Sequence, residues 1–456
     1  MSSEPNAQIE PVDPARPTLT LVDPASSGEP REQAEASPRW GLAQKILFRF
    51  AFCYLVLYNL PFPLSHIPYV DMAAQQYGKL WSFLVPAVGD QAFGLDISAG
   101  PNGSGDTTYD YVQVFCCLIL ALAATAIWTF LDRRRAHYAR LNEWLRVYVR
   151  FALAITMLVY GAMKVIPSQF PAPSLDRLVQ PFGDASPMGI LWTFMGASAA
   201  YTIFSGACEM LGGLLLVARR TTLLGALVSA GVLTNVVALN FCYDVPVKLF
   251  SSHLLLMALF LMLPDLRRLT RLLVFNRRVE PAEIRPLFRR KWLHRSALAL
   301  RTVFLFGWAG MFLFQTWEGD KEYGRRAPKP PLYGIWNVDA FETDGAVRPP
   351  LITDETRWRR LILGRPGTAS IQLMSDTRQR YYLELNTDKK RLNLTKRDDA
   401  TWKTSLSYTQ PGPEQLVVEG TFDGHKLRAS LRRVDESKFL LVTRGFHWIN
   451  EYPYNR

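Results

Sequence analysis

FSGACEMLGGLLLV, residues 204–217, ends an apolar run that opens at Ala199 and stops at Arg219 and Arg220. A helix rises ~1.5 Å per residue and a bilayer core needs ~20 residues, so this run is long enough to cross a membrane. Its one side chain charged at neutral pH, Glu209, falls near the middle. A charge at that depth costs at least ~2.5–3.5 kcal/mol on insertion scales, so such a group is usually paired, watered or functional. Glu209 is too deep to snorkel, and it is read as a site or pairing residue.

Three neighbouring spans carry most of the other polar residues. Val147–Val165 holds Tyr160 and Lys164, Thr222–Asn240 holds Asn235 and Asn240, and Val247–Leu263 holds Lys248 and His253, with Asp244 just before it. Lys164 and Lys248 stand at span ends, where a lysine either snorkels to the interface or serves a site. The Asn residues and His253 either cross-link helices by hydrogen bonds or line a pocket.

Further spans flank this block. Leu42–Leu60 precedes it, entered at Trp40 and ended by Pro61 and Pro63, since proline removes a helix donor. Tyr111–Phe130 follows, and Ala297–Trp317 comes after the block, giving about seven in all. Tyr69–Phe83 is too polar to span and is expected at the interface. The loop Gly100–Tyr111 reads as a turn or as a cap on an outer cavity. The loop Pro167–Gly196 holds five prolines and a short apolar helix near Met188–Met195.

Loop charges set the orientation. Arginine clusters follow the second, fourth and sixth spans, whereas the loops after the first, third and fifth hold little beyond Lys79, Arg177 and Lys248. The positive-inside rule then places the N-terminus in the cytoplasm and the C-terminal region outside. The 456-residue chain carries +12 formal charge, yet its arginines flank apolar runs, which argues for topology and against nucleic acid. Residues 1–38 are rich in Pro, Ser, Glu and Ala; they are expected to form a disordered cytoplasmic tail, without the basic start and apolar core of a signal peptide.

The region 332–456 changes character. Short alternating segments start at Tyr333–Phe341 and run through Gln415–Phe422 and Lys426–Arg433 to Phe439–Arg444, with turns such as Asp423-Gly424 between them. Many short strands at this spacing predict an antiparallel β-barrel or sandwich. Cys53, Cys116, Cys117, Cys208 and Cys242 include no CxxC and no zinc spacing; four lie in apolar spans as small hydrophobes, and Cys242 falls in an outer loop. No Ser/His/Asp set, glycine-rich phosphate loop or metal pattern is present.

Two resemblances follow. Tyr160-Gly161-Ala162-Met163-Lys164, then Glu209-Met210-Leu211-Gly212-Gly213 followed by Arg219-Arg220-Thr221-Thr222, resembles the four-helix DoxX family of bacterial membrane proteins, over about Val147–Arg268. That resemblance implies a quinone-linked redox subunit, with a quinone as cofactor and a redox partner protein to supply electrons. Gly334-Ile335-Trp336 with Arg444 resembles the lipocalin pattern, in which a first-strand Trp packs under a late Arg.

The expected architecture is a polytopic α-helical membrane protein of about seven spans, multi-pass in the inner membrane, with a DoxX-like four-helix core. Residues 39–146 form two spans with the amphipathic segment, 147–268 the core, 269–317 a basic inner linker and seventh span, 318–331 a linker, and 332–456 an extracytoplasmic β domain. An outward pocket is expected from Tyr160, Lys164, Glu209, Asn235, Asn240, Asp244, Lys248 and His253. Three functions compete: the redox subunit, a protein that handles membrane lipids or another apolar ligand, and a scaffold whose β domain docks an envelope protein.

Overall fold

The computed structural model describes residues 39–64, 71–98, 102–281, 290–323 and 327–455. The tail expected at 1–38 lies outside the described residues, as do 282–289 of the basic linker and 99–101 of the Gly-rich loop.

The helical part runs in order as α1 (Leu42–Asn59), α2 (Asp71–Phe93), α3 (Thr108–Leu131), α4 (Ala139–Val165), α5 (Leu175–Leu178), α6 (Pro187–Ala197), α7 (Ala199–Val217), α8 (Thr222–Cys242), α9 (Lys248–Met262), α10 (Leu266–Leu269) and α11 (Lys291–Tyr323). Local chemistry sets the boundaries. Thr107 and Asp110 form a reciprocal capping box at the start of α3. Ser186 caps α6 ahead of Pro187, and Ser198 caps α7.

Among the described residues five helices are long and apolar enough to cross a membrane: α3, α4, α7, the stretch Arg219–Cys242 containing α8, and Lys248–Val274, which begins with α9. These make the chain a multi-pass membrane protein with a separate β domain. α1 has only 18 residues, and Gln44, Lys45, Arg49 and Asn59 dilute its apolar content. α2 extends ten residues beyond the expected Phe83, through Pro86, and packs Trp81 and Val85 on Cys116 and Cys117 of α3.

α4 is the central helix. Its apolar window is 61% buried against 22–33% for the other four, whose remaining apolar surface faces outward. Its most extensive partner is α7. Small residues permit the close approach, as membrane helices require when van der Waals packing drives association. A Cβ on Gly213 would stand 2.9 Å from the Ala154 carbonyl oxygen, and one on Gly225 would stand 2.6 Å from Leu216 N.

The C-terminal region is a closed eight-stranded antiparallel barrel. Its strands are β1 (Gly334–Thr343), then, after the two-residue β2 (Ala346–Val347), β3 (Trp358–Arg365), β4 (Thr368–Leu373), β5 (Arg378–Asn386), β6 (Arg391–Lys396), β7 (Lys403–Gly412), β8 (Gln415–Phe422) and β9 (His425–Arg433). β1 pairs with β2 and with β3, each strand from β3 onward pairs with the next in sequence, and β9 returns to β1 to close the ring. Asp423-Gly424, both at positive φ, make the tight turn between β8 and β9 that suits strand twist. A bulge between Val338 and Ala340 shifts the alternation of β1, so Trp336 and Val338 point inward before it and Phe341 after it. Trp358, Tyr381 and Phe422 join leucines and valines from every long strand in one continuous core.

Two expectations for this domain are corrected. Phe439–Arg444 is not a strand: Glu436–Lys438 forms a 3₁₀ turn and Leu440–Thr443 a short helix, α12. An isolated apolar run of four to six residues has no periodicity to separate helix from strand. Arg444 does not cover Trp336. Its guanidinium lies 4.0 Å from the Tyr454 ring and bonds Asn450 within the C-terminal tail. The buried arginine of the barrel is Arg357, which lies over Phe341 and donates to the carbonyls of Arg348 and Trp358.

The outer face of the barrel seats on the helical part. Ile335 and Ile362 point away from the barrel core and are fully buried against Leu175, Leu178 and Val179 in and beside α5. The proline-rich loop between α4 and α7 therefore carries the barrel.

Candidate functional site

The glycines of Gly-x-x-Lys and Ser-Gly-Ala-Cys-Glu bring two charges together. Gly161 of α4 lies against Gly206 of α7, so the following turns of both helices are in backbone contact. Lys164 and Glu209 then meet across the seam, with Lys164 Nζ 2.8 Å from both Oε1 and Oε2. Their side chains are 8% and 4% exposed. In so dry a site the Coulomb attraction is strong, which offsets part of the cost of taking both ions out of water. The ammonium also lies 5.8 Å from the Tyr160 ring and 5.9 Å from the Phe170 ring.

A cavity of about 120 Å³ opens beside the pair. Its wall is mostly aromatic and aliphatic, with Phe170, Trp192, Leu233 and Leu254 among the lining residues. The side-chain carbonyl of Gln169, also in the wall, is buried and accepts no hydrogen bond. A second cleft of about 570 Å³ between α1, α3, α4 and α9 shares Thr156, Tyr160, Val247 and Phe250 with the first. Tyr160 and Phe250, with ring centroids 6.0 Å apart, stand at the boundary between the two.

The eight residues expected to converge separate into three groups. Tyr160, Lys164, Glu209, Asn235 and Asn240 all line the smaller cavity. Asn240 is buried and donates to Ser251 Oγ at 3.0 Å, which ties α8 to α9, whereas Asn235 is largely exposed. Asp244 and Lys248 form an ion pair of 2.8 Å at the α8–α9 corner, outside the cavity wall. Lys248 also lies 3.7 Å from Asp106, whose carboxylate accepts from the backbone N–H groups of Lys248 and Leu249 and so caps α9.

His253 is not part of the pocket. It stacks on Tyr58 at 4.0 Å and its Nε2 lies 2.7 Å from the Tyr54 hydroxyl, which joins α9 to α1. The helix turns ~100° per residue, so Ser251 and Leu254 face the cavity while His253 points elsewhere.

Three contributors escape a reading of the sequence alone. Gln169 sits in an irregular loop with no periodicity to aim it. Asp106 acts over 142 residues of separation on α9. Arg49 is almost fully buried and donates to Tyr138 Oη, Thr129 Oγ1 and the Asp132 carbonyl, so it locks α1 to the α3–α4 connection at the end opposite the barrel. Among the described residues no group of three or more His, Cys, Asp or Glu side chains is placed to hold a metal ion.

No protein-family model matches the chain, and no solved structure matches it. The chain is 33% identical over 143 residues to the uncharacterized protein YwoB of Bacillus subtilis (strain 168). That stretch covers 31% of this chain and 87% of the relative.

Proposed function

We propose, for a chain that belongs to the same family as the uncharacterized protein YwoB of Bacillus subtilis, that the helical bundle binds the head of an apolar-tailed amphiphile in the pocket around Lys164 and Glu209. The observation that carries this reading is the composition of the pocket: one buried ion pair in a mostly apolar and aromatic wall that also carries a few neutral polar side chains, beside a cleft large enough for a hydrocarbon tail. Glu209 engages two of the three N–H donors of Lys164, which leaves the third for a ligand oxygen. The unsatisfied Gln169 carbonyl asks for a donor. A head bearing a hydroxyl meets both demands, because a hydroxyl donates and accepts. Neutralisation of the ammonium by Glu209 favours an uncharged head. Uncharged lipids with a free hydroxyl, such as diacylglycerols, and quinones in their reduced, hydroxyl-bearing form share this chemistry, and a quinone would suit the DoxX-like motifs.

In this reading the bundle spans a cell membrane with about seven helices, α1 and α11 completing the five. The arginine-rich end is cytoplasmic and the barrel extracytoplasmic. The barrel then stands over the loop that forms the outer wall of the pocket.

Mass spectrometry of small molecules that co-purify in mild detergent tests the proposal, run on the wild type, Glu209→Gln and Glu209→Ala. The expected result is one amphiphile near one per chain in the wild type, depleted in both variants and depleted as well in Lys164→Met/Glu209→Met, which leaves no uncompensated charge and should remain monodisperse. Its identity separates quinone from lipid. A wild type that carries no such molecule, even after incubation with each class, overturns the reading.

A further inference from the structure

We infer that the arginine-rich end of the bundle holds a second binding site, for a phosphate-bearing anion, and that its ligand is the headgroup of an anionic phospholipid. A cavity of about 590 Å³ lies between α4, the α7–α8 turn and α10. Arg146 and Arg150, one turn apart on α4, face it together with Arg219 and Arg220 from the turn and Arg268 from α10. Among the described residues only two carboxylates share the wall, Glu143 and Asp265.

Arginines that merely set topology need to lie at this end and remain free to reach water. These do not all reach it. Arg150 is 6% exposed, and its Nη1 donates to Thr222 Oγ1 at 3.2 Å. The Nε groups of Arg146 and Arg268 are buried without an acceptor. Buried guanidinium donors without acceptors are costly, and a phosphate oxygen satisfies them with charge-assisted bonds.

The fold adds a second source of positive potential. The cavity reaches Thr222 and Leu223 at the start of the 21-residue α8. That helix has no side-chain cap, because the Thr221 and Thr222 hydroxyls donate backwards to the carbonyls of Leu215 and Ala218. Its first N–H groups and helix dipole therefore add to the arginines, a combination that suits phosphate. Of the two sources of such a group, a lipid is favoured because the cavity also carries Val147, Leu223 and Leu261, apolar side chains from helices that cross the membrane.

The test uses the full chain in nanodiscs of phosphatidylcholine alone or with phosphatidylglycerol, followed by native mass spectrometry and thermal melting. A Tm higher in the phosphatidylglycerol discs, and phosphatidylglycerol adducts at least five times more abundant than phosphatidylcholine adducts, are expected. In Arg146→Gln/Arg268→Gln the preference should fall at least fivefold, while the Tm in phosphatidylcholine alone stays the same. Inorganic phosphate at millimolar concentration is the second arm. If it raises the wild-type Tm and the lipid shows no preference, the anion site stands but the lipid is overturned as its ligand. A wild type that distinguishes neither lipid nor phosphate overturns the site, whatever the variant does.

Discussion

Gly206 lies so close to Gly161 that a Cβ on Gly206 would stand 2.6 Å from the Gly161 carbonyl oxygen and 2.7 Å from the Lys164 Cβ. Backbone cannot yield as a flexible side chain does, so α4 and α7 would have to move apart. Gly206→Ala should lower stability by about 1–3 kcal/mol, the usual range for overpacking. Thermal melting in detergent checks this. An unchanged midpoint would mean that the helix seam is looser than the structure shows.

The Lys164–Glu209 pair should be strongly coupled. Removing one partner from a buried pair typically costs about 3–5 kcal/mol, because the other charge is left uncompensated. Lys164→Met should therefore destabilise the bundle severely, and Lys164→Met/Glu209→Met should recover much of the loss. A double-mutant cycle on the thermal midpoint reads the coupling. Additive losses would show that water, and not the partner, stabilises each charge.

The seat of the barrel is open to a covalent test. A Cβ on Gly364 would stand 3.7 Å from the Leu175 Cβ. This separation lies within the ~3.5–4.5 Å range of disulfide Cβ pairs. Leu175→Cys/Gly364→Cys, made in a background without the five native cysteines, should cross-link on mild oxidation. A shift in non-reducing electrophoresis after cleavage of the 327–331 linker reads it. Failure to cross-link would remove the barrel from this loop.

Acid should loosen the barrel through its carboxylates. The His425 imidazole, followed by the Lys426 N–H, holds the Asp344 carboxyl below its usual range. Asp354, Asp399 and Asp435 are held low as well. A depressed folded pKa contributes stability that is present above the unfolded value, near pH ~4, and is lost as pH falls through the folded value. Tryptophan fluorescence should therefore show the barrel midpoint falling below about pH 4. Asp344→Asn should flatten that fall in part, since three other carboxylates remain. A midpoint independent of pH across this range would refute the assignment.

Much of this architecture is legible in the sequence, and the reasons differ by element. α7 occupies Ala199–Val217 and β8 occupies Gln415–Phe422, both as read, because a serine cap and an arginine pair bound the one and turn residues bound the other. Lys164 and Glu209 each stand out in the sequence against an apolar background, but their pairing comes only with the fold. His253 was not separable from them, because hydropathy gives depth along a helix but not which neighbour a side chain faces. Gln169 and Asp106 act from loops across long sequence separations, and only the fold brings them to their partners.

Closure of the barrel has a consequence for recognition. An open sheet offers a row of unpaired N–H and C=O groups that captures an extended peptide by strand addition. Here β1 and β9 consume each other's edges, and the free margin is reduced to Ala346–Val347 and the short stretch of β1 before its pairing with them. A protein that engages this domain must therefore read side chains on its wall or rim, and short peptides of high β-propensity should fail as competitors.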